Sequence, residues 1–207
     1  MTQRKMAVHF LAAALAVLAT EQLMAVEEAE YTVIRQDGDI EIREYADAII
    51  AETVVDDKFE DAGNRAFRKL FGYIGGDNRS QSEIAMTAPV SQEKRSEKIA
   101  MTSPVGQQKS GDGWAVSFMM PASYTMETIP QPTDPSVVIR QIPAHRVAAI
   151  RYSGFWSEEK YQEHLEELNV WIKNENQEVA GQPVWARYNA PFTPWFMRRN
   201  EILIPVM

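Results

Sequence analysis

Residues 31–45 confine the chain more than any other segment. Tyr31-Thr-Val-Ile-Arg-Gln, then Asp37-Gly38, then Asp39-Ile-Glu-Ile-Arg-Glu-Tyr45 alternate apolar and polar residues about a tight turn. Period-two alternation sets one face of each stretch against a core, and Asp-Gly supplies the positive φ that a two-residue connection needs, so the segment is an antiparallel hairpin. Ala48 to Val55 continues as a third strand, and a helix capped by Asp56 or Asp57 runs to about Ile74, stopped by Gly75-Gly76. The same order returns downstream. Val137–Ile142 and His145–Tyr152 read as strands, Ser157 caps a helix from Glu158 to about Gln177, and Val184–Asn189 and Asn200–Val206 close the chain as strands. Trp114–Met120 alternates as a further strand. The expected fold class is α+β: a duplicated, barrel-like sheet of antiparallel strands flanked by two helices, with halves at about 31–110 and 114–207.

A shorter repeat sits within the first half. Ile84-Ala-Met-Thr-Ala-Pro-Val90 recurs as Ile99-Ala-Met-Thr-Ser-Pro-Val105, with the polar stretch Gln92 to Lys98 between the copies. The pattern predicts strands near 84–92 and 98–106 joined at a solvated tip around Lys94-Arg95-Ser96. Proline cannot donate to a ladder, so Pro89 and Pro104 belong at strand edges or bulges.

The N-terminus reads as a secretory signal over residues 1–25. Arg4 and Lys5 precede an apolar run from Met6 to Ala19, and Leu23-Met24-Ala25 offers a cleavage site. Fourteen residues are too few to cross a hydrocarbon core of about 30 Å. The mature chain, 26–207, is therefore expected as a single domain, periplasmic or secreted, with no stable membrane insertion after cleavage. The chain has no cysteine, which excludes a disulfide framework, thiolate metal sites and a cysteine nucleophile. The net charge of −8, spread along the chain, argues against nucleic acid, which needs a basic patch.

Signatures of catalysis are missing from the sequence: no phosphate-binding glycine loop, no G-x-S-x-G and no H-E-x-x-H. Of the three histidines, His9 falls in the signal, His145 on a strand and His164 on a helix, none at metal-ligand spacing from another. The helices carry more. On the second, Tyr161, Leu165, Leu168 and Ile172 form one narrow stripe with Trp171 at its edge. On the first, Phe59, Ala62, Ala66, Leu70, Tyr73, Ile74, Phe67 and Phe71 fan over about 180°, against the ~100° that one-sided packing needs. Phe67 and Phe71 are thus surplus apolar surface, either covered by loops or walling a ligand groove, with the cation Arg68 just beyond. Ala190-Pro-Phe-Thr-Pro-Trp-Phe-Met197 is an aromatic segment, expected to be held extended by its prolines, and it must pack on the domain, a ligand or a partner.

Several motifs resemble one family. Ile42-Arg43-Glu44-Tyr45, Tyr73-Ile74-Gly75-Gly76, the Ile84–Val90 segment, Gly154-Phe155, Tyr188-Asn189-Ala190-Pro191 and Arg199-Asn200-Glu201 are similar, in this order, to the SOUL/haem-binding proteins. The likeness runs from about Tyr31 to Val206 and implies a bacterial, exported member with an effector-binding-like fold. It also implies binding of haem or a related tetrapyrrole, without catalysis, in an apolar groove along the first helix. Some members carry a histidine iron ligand where this chain has Glu44, and basic residues for the haem propionates where it has Asn64 and Gly72. Phe67 and Phe71 keep the apolar character of the groove. The site expected is Phe67, Arg68, Phe71 and Ile74 on the helix facing Phe192, Trp195 and Phe196 on the loop. The rival readings are a protein-interaction module that docks a partner through the aromatic 191–197 loop, and an enzyme using Glu44 or Glu52 as acid/base. The Arg199-Asn200-Glu201 group is expected to serve the fold through a buried Arg–carboxylate pair.

Overall fold

A computed structural model describes residues 26–81 and 96–207. The signal segment, the first Ile-Ala-Met-Thr copy and most of the proposed hairpin tip lie outside the described residues. The strands are β1 (Glu27–Glu28), β2 (Tyr31–Asp37), β3 (Ile40–Tyr45), β4 (Ala48–Val55), β5 (Asn78–Arg79), β6 (Thr102–Ser103), β7 (Val105–Ser110) and β8 (Gly113–Met119). They continue as β9 (Gln131–Pro132), β10 (Val137–Ile142), β11 (His145–Tyr152), β12 (Val184–Arg187) and β13 (Asn200–Pro205), with helices α1 (Phe59–Gly75) and α2 (Glu158–Asn174).

Nine strands form one antiparallel sheet in the order β10-β4-β8-β7-β12-β13-β11-β3-β2, curled into a half-barrel with edges at β10 and β2. This is the expected α+β class. Two small ladders sit outside it, β1 with β6 and β5 with β9. The first hairpin forms one residue later than the sequence suggests: Asp37 pairs Ile40, and Gly38, at φ +61°, opens the two-residue turn that Asp39 completes.

Strand alternation sorts the side chains into two layers. Ala51 and Val55 of β4, Trp114, Val116 and Phe118 of β8, and Ile202 and Ile204 of β13 face the helices and join the main core. α1 lies over β4, β8 and β10, and α2 over β11 and β13. The layers meet at Phe59, the first residue of α1, whose ring stacks on Trp185 at 4.8 Å and meets Trp114 edge-on at 5.0 Å and Tyr161 at 5.2 Å.

Local signals were displaced in three places. The N-cap of α1 is Lys58 and makes no side-chain cap bond. Asp57, one residue earlier, instead accepts from the Lys58 N–H at 3.0 Å and pairs with Arg65 at 2.9 Å. α2 does open at the expected cap, Ser157 Oγ accepting from the Lys160 N–H, but it stops at Asn174, because Asn176 takes the left-handed conformation at φ 55°. The strand expected over 98–106 is broken as well. Only Thr102–Ser103 and then Val105 onward are extended in ladders, with Pro104 at the break.

Candidate functional site

α1 carries two kinds of apolar residue. Ala62, Ala66, Leu70, Tyr73 and Ile74 are buried against the sheet. Ile74, at 4% exposure, therefore belongs to the core. Phe67 is only partly buried; its ring meets Phe118 of β8 edge-on at 5.2 Å and stacks on Phe71 at 5.8 Å. Phe71 itself is 52% exposed. The surplus shoulder is thus a stacked pair, one ring anchored to the sheet and the other presented to solvent. Arg68 beside it is exposed, and no described residue pairs with it.

The aromatic loop is folded, not extended. Thr193 N–H donates to the Ala190 carbonyl at 3.0 Å, and Met197 N–H to that of Pro194 at 2.9 Å, closing a 3-10 turn over Trp195–Met197. Proline fixes φ alone, and Pro194 is followed at once by helical backbone, so two prolines did not suffice to keep the segment straight. Arg198 clamps the loop from below. Its Nε donates to the Thr193 carbonyl and its Nη2 to that of Pro191, both at 2.8 Å, with the guanidinium over the Trp156 ring at 4.3 Å. Trp195 stacks on Phe155 at 5.3 Å and meets Phe196 edge-on at 5.6 Å. Phe192 remains 90% exposed, and Phe196 and Met197 more than half.

Of the expected site residues, Ile74 is buried and Phe67 partly buried against the core, while Arg68, Phe71, Phe192, Trp195 and Phe196 are exposed. Among the described residues no ring contact or hydrogen bond joins Phe67 and Phe71 to Phe192, Trp195 and Phe196. Glu44 and Glu52, the acid/base candidates, are each held by an arginine: Glu44 by Arg146 at 2.6 Å, and Glu52 by Arg140 at 2.6 and 3.1 Å. Glu52 also points away from α1, since it alternates with the core residues Ala51 and Thr53 on β4.

Two features escaped the sequence reading. Arg187, on β12, lies between the Trp185 and Trp156 rings at 4.8 and 5.4 Å. Burial lowers it to about 10, and its Nε has no hydrogen-bond partner among the described residues. The signal was available in Trp185-Ala-Arg187 and Trp156, but only the fold brings those tryptophans together. The second is the reach of Glu201. Arg43, 158 residues away, donates to it at 2.7 and 3.1 Å, Arg199 at 2.9 Å and Tyr188 Oη at 2.8 Å. Arg199-Asn200-Glu201 is thus a structural knot, as expected, and Asn200 extends it by accepting from Trp156 Nε1 at 2.8 Å.

Residues 26–205 match the family model described as SOUL heme-binding protein. Heme-binding protein 2 of Homo sapiens is 29% identical over 176 residues, and that of Mus musculus 28%, each match covering 80% of this chain and 81% of the relative. Among solved structures, a chain of the EcmrR–DNA complex superposes with a TM-score of 0.57 at 9% identity, over 98% of this chain. This chain spans 66% of that one, and the likeness speaks to the fold alone. The match over nearly all the described residues, on a curled sheet carrying two helices, establishes that the chain belongs to the SOUL heme-binding protein family.

Proposed function

We propose that this protein binds haem or a related tetrapyrrole without catalysing a reaction on it, in an apolar groove beside α1 toward the aromatic loop. One observation carries the reading: a stacked phenylalanine pair, Phe67 fixed against Phe118 and Phe71 half exposed, with the cation Arg68 next to it. Those residues suit the group. A macrocycle would lie against the two rings and the loop rings of Phe192, Trp195 and Phe196, and Arg68 would meet a propionate. When bound, the iron supplies one-electron and small-ligand chemistry. Covering several hundred Å² of apolar area at ~25 cal/mol per Å² supports micromolar affinity after the costs of association.

The two described histidines are held away from the residues that would meet the haem. His145 Nδ1 bonds the Pro143 carbonyl at 2.8 Å, and His164 stacks on Tyr152 at 4.0 Å with Nδ1 3.1 Å from Glu167. The names of the relatives support binding as the family's role. Export with cleavage after Ala25 is part of the same proposal, argued from the basic start Arg4-Lys5 and the short apolar run from Met6 to Ala19. Haem titration of wild type, Phe71→Glu and Arg68→Glu tests it, with both variants binding more weakly.

A second reading rests on the loop. Phe192, Phe196 and Met197, at 90, 60 and 64% exposure, make an apolar tip clamped in place by Arg198, which suits docking of a protein partner. In that case Phe192→Ser abolishes a protein interaction and no variant alters haem binding.

A further inference from the structure

The sheet face turned away from the helices has its own cavity, of about 1140 Å³, larger than the common ligand-pocket range of about 300–1000 Å³. Alternation explains its floor. Ile50 of β4, Met119 of β8, Val184 and Ala186 of β12 and Leu203 of β13 each neighbour a residue of the helix-side core and so point the other way. Gly106 of β7 keeps the floor low: a Cβ there would stand 2.8 Å from Ser117 Oγ and 3.3 Å from Val184 Cγ1. The walls are the N-terminal segment 27–30 and residues 120–127, tied together by the Ala122 N–H donating to Glu27 Oε1 at 2.7 Å. None of the residues expected to hold haem lines this cavity.

Charge selects the occupant. Six carboxylates line the cavity, Glu27, Glu28, Glu30, Asp47, Glu52 and Glu127, against one guanidinium, Arg140, and one imidazole, His145. Glu52 is paired with Arg140 and Glu28 with Arg199, which leaves four carboxylates in excess. A dianionic tetrapyrrole would meet like charge here. A bare metal ion is disfavoured too, because the described residues hold no group of three or more ligating side chains. We propose that this cavity is a second binding site, for an apolar organic cation, whose body covers the Ile50–Met119–Leu203 floor while its charge faces the acidic mouth. The carboxylates at the mouth are mostly exposed and screened within about 8 Å at physiological salt, so they set the preferred sign and speed of capture. The apolar floor sets the affinity.

The test uses the intact protein and two fluorescent probes of opposite charge: thioflavin T, an apolar cation, and anilinonaphthalene sulfonate, an apolar anion. Saturable thioflavin T binding at least tenfold tighter than that of the anion is expected, weakening as salt is raised. Ile50→Arg and Met119→Arg each place a cation on the floor and should weaken thioflavin T at least tenfold. Two floor variants are named so that a misfolded one, recognised by near-ultraviolet circular dichroism, leaves the other to decide. Phe71→Glu should leave dye binding unchanged, and excess haem should not displace the dye. Equal or tighter binding of the anion, wild-type thioflavin T binding by the folded floor variants, or displacement by haem overturns the proposal. Failure of haem to bind while the dye binds overturns the helix-face reading alone.

Discussion

Arg43 and Glu201 form a two-point ion pair across 158 residues of sequence, at 2.7 and 3.1 Å, with side chains 2% and 0% exposed. They lie on β3 and β13, the two strands that flank β11, so the pair spans the middle strand on the face away from the helices. The Arg43 guanidinium also sits 4.3 Å over the Tyr31 ring and donates to Glu41 at 2.6 Å. Removing one partner strands a buried charge. Glu201→Gln and Arg43→Met should each cost about 3–5 kcal/mol, measured by urea unfolding, while the double variant costs clearly less than the sum. Additive losses would show that the pair is not coupled.

The same site sets an acid response. Burial pushes the Glu201 carboxyl up, but the hydrogen bonds and charges of Arg43 and Arg199 outweigh it and hold the group below the usual carboxylate range. A depressed carboxylate contributes stability above its unfolded value, near 4.5, and loses it as pH falls through the folded value. Thermal melts of wild type from pH 7 to 2 should show this loss beginning below about 4.5. In Glu201→Gln that portion of the acid dependence should be missing, and a variant with the full wild-type slope would contradict the assignment.

Glycines offer a contrast in close approach. A Cβ at Gly113 would lie 2.4 Å from the Val55 carbonyl oxygen, a backbone atom with nowhere to go. Gly113→Ala should cost about 2 kcal/mol or more through displacement of β8 from β4. At Gly75, the last residue of α1, nothing lies within 4 Å of the added carbon, and Gly75→Ala should be neutral to stabilising by about 0.5 kcal/mol. Chemical denaturation of both checks the ordering.

Export is tested at the N-terminus. Mass spectrometry of protein recovered outside the cytoplasm should give a chain beginning at or near Val26, lacking Arg4, Lys5 and Glu21. A chain retaining the Met6 to Ala19 run would contradict cleavage.

The elements were legible where periodicity and caps coincide. The β2–β3 hairpin, the strand at 114–120, the Ser157 cap and the one-sided face of α2 follow from residues within a few positions of one another. Where neighbouring residues compete for one partner the local signal is displaced, as at the start of α1, where Asp57 pairs with Arg65 in place of capping. Of the candidate site, the shoulder of α1 was legible. Surplus rings on α1 could be counted from spacing, and Phe71 is indeed half exposed while Phe67 is not. The Arg187 sandwich and the reach of Arg43 were not legible, because residues 43 and 201, or 156 and 187, become neighbours only through strand order. Nor was the sheet-face cavity, whose floor is gathered from β4, β7, β8, β12 and β13.

A tetrapyrrole held against the exposed shoulder of α1 is tested first by a haem titration of residues 26–207 followed by the Soret band. Wild type should saturate at one haem per chain with micromolar affinity. Phe71→Glu, which alters a half-exposed residue and should leave the melting temperature within a few degrees of wild type, should bind at least tenfold more weakly. No saturable spectral change in wild type, or unchanged binding by folded Phe71→Glu, would contradict the claim.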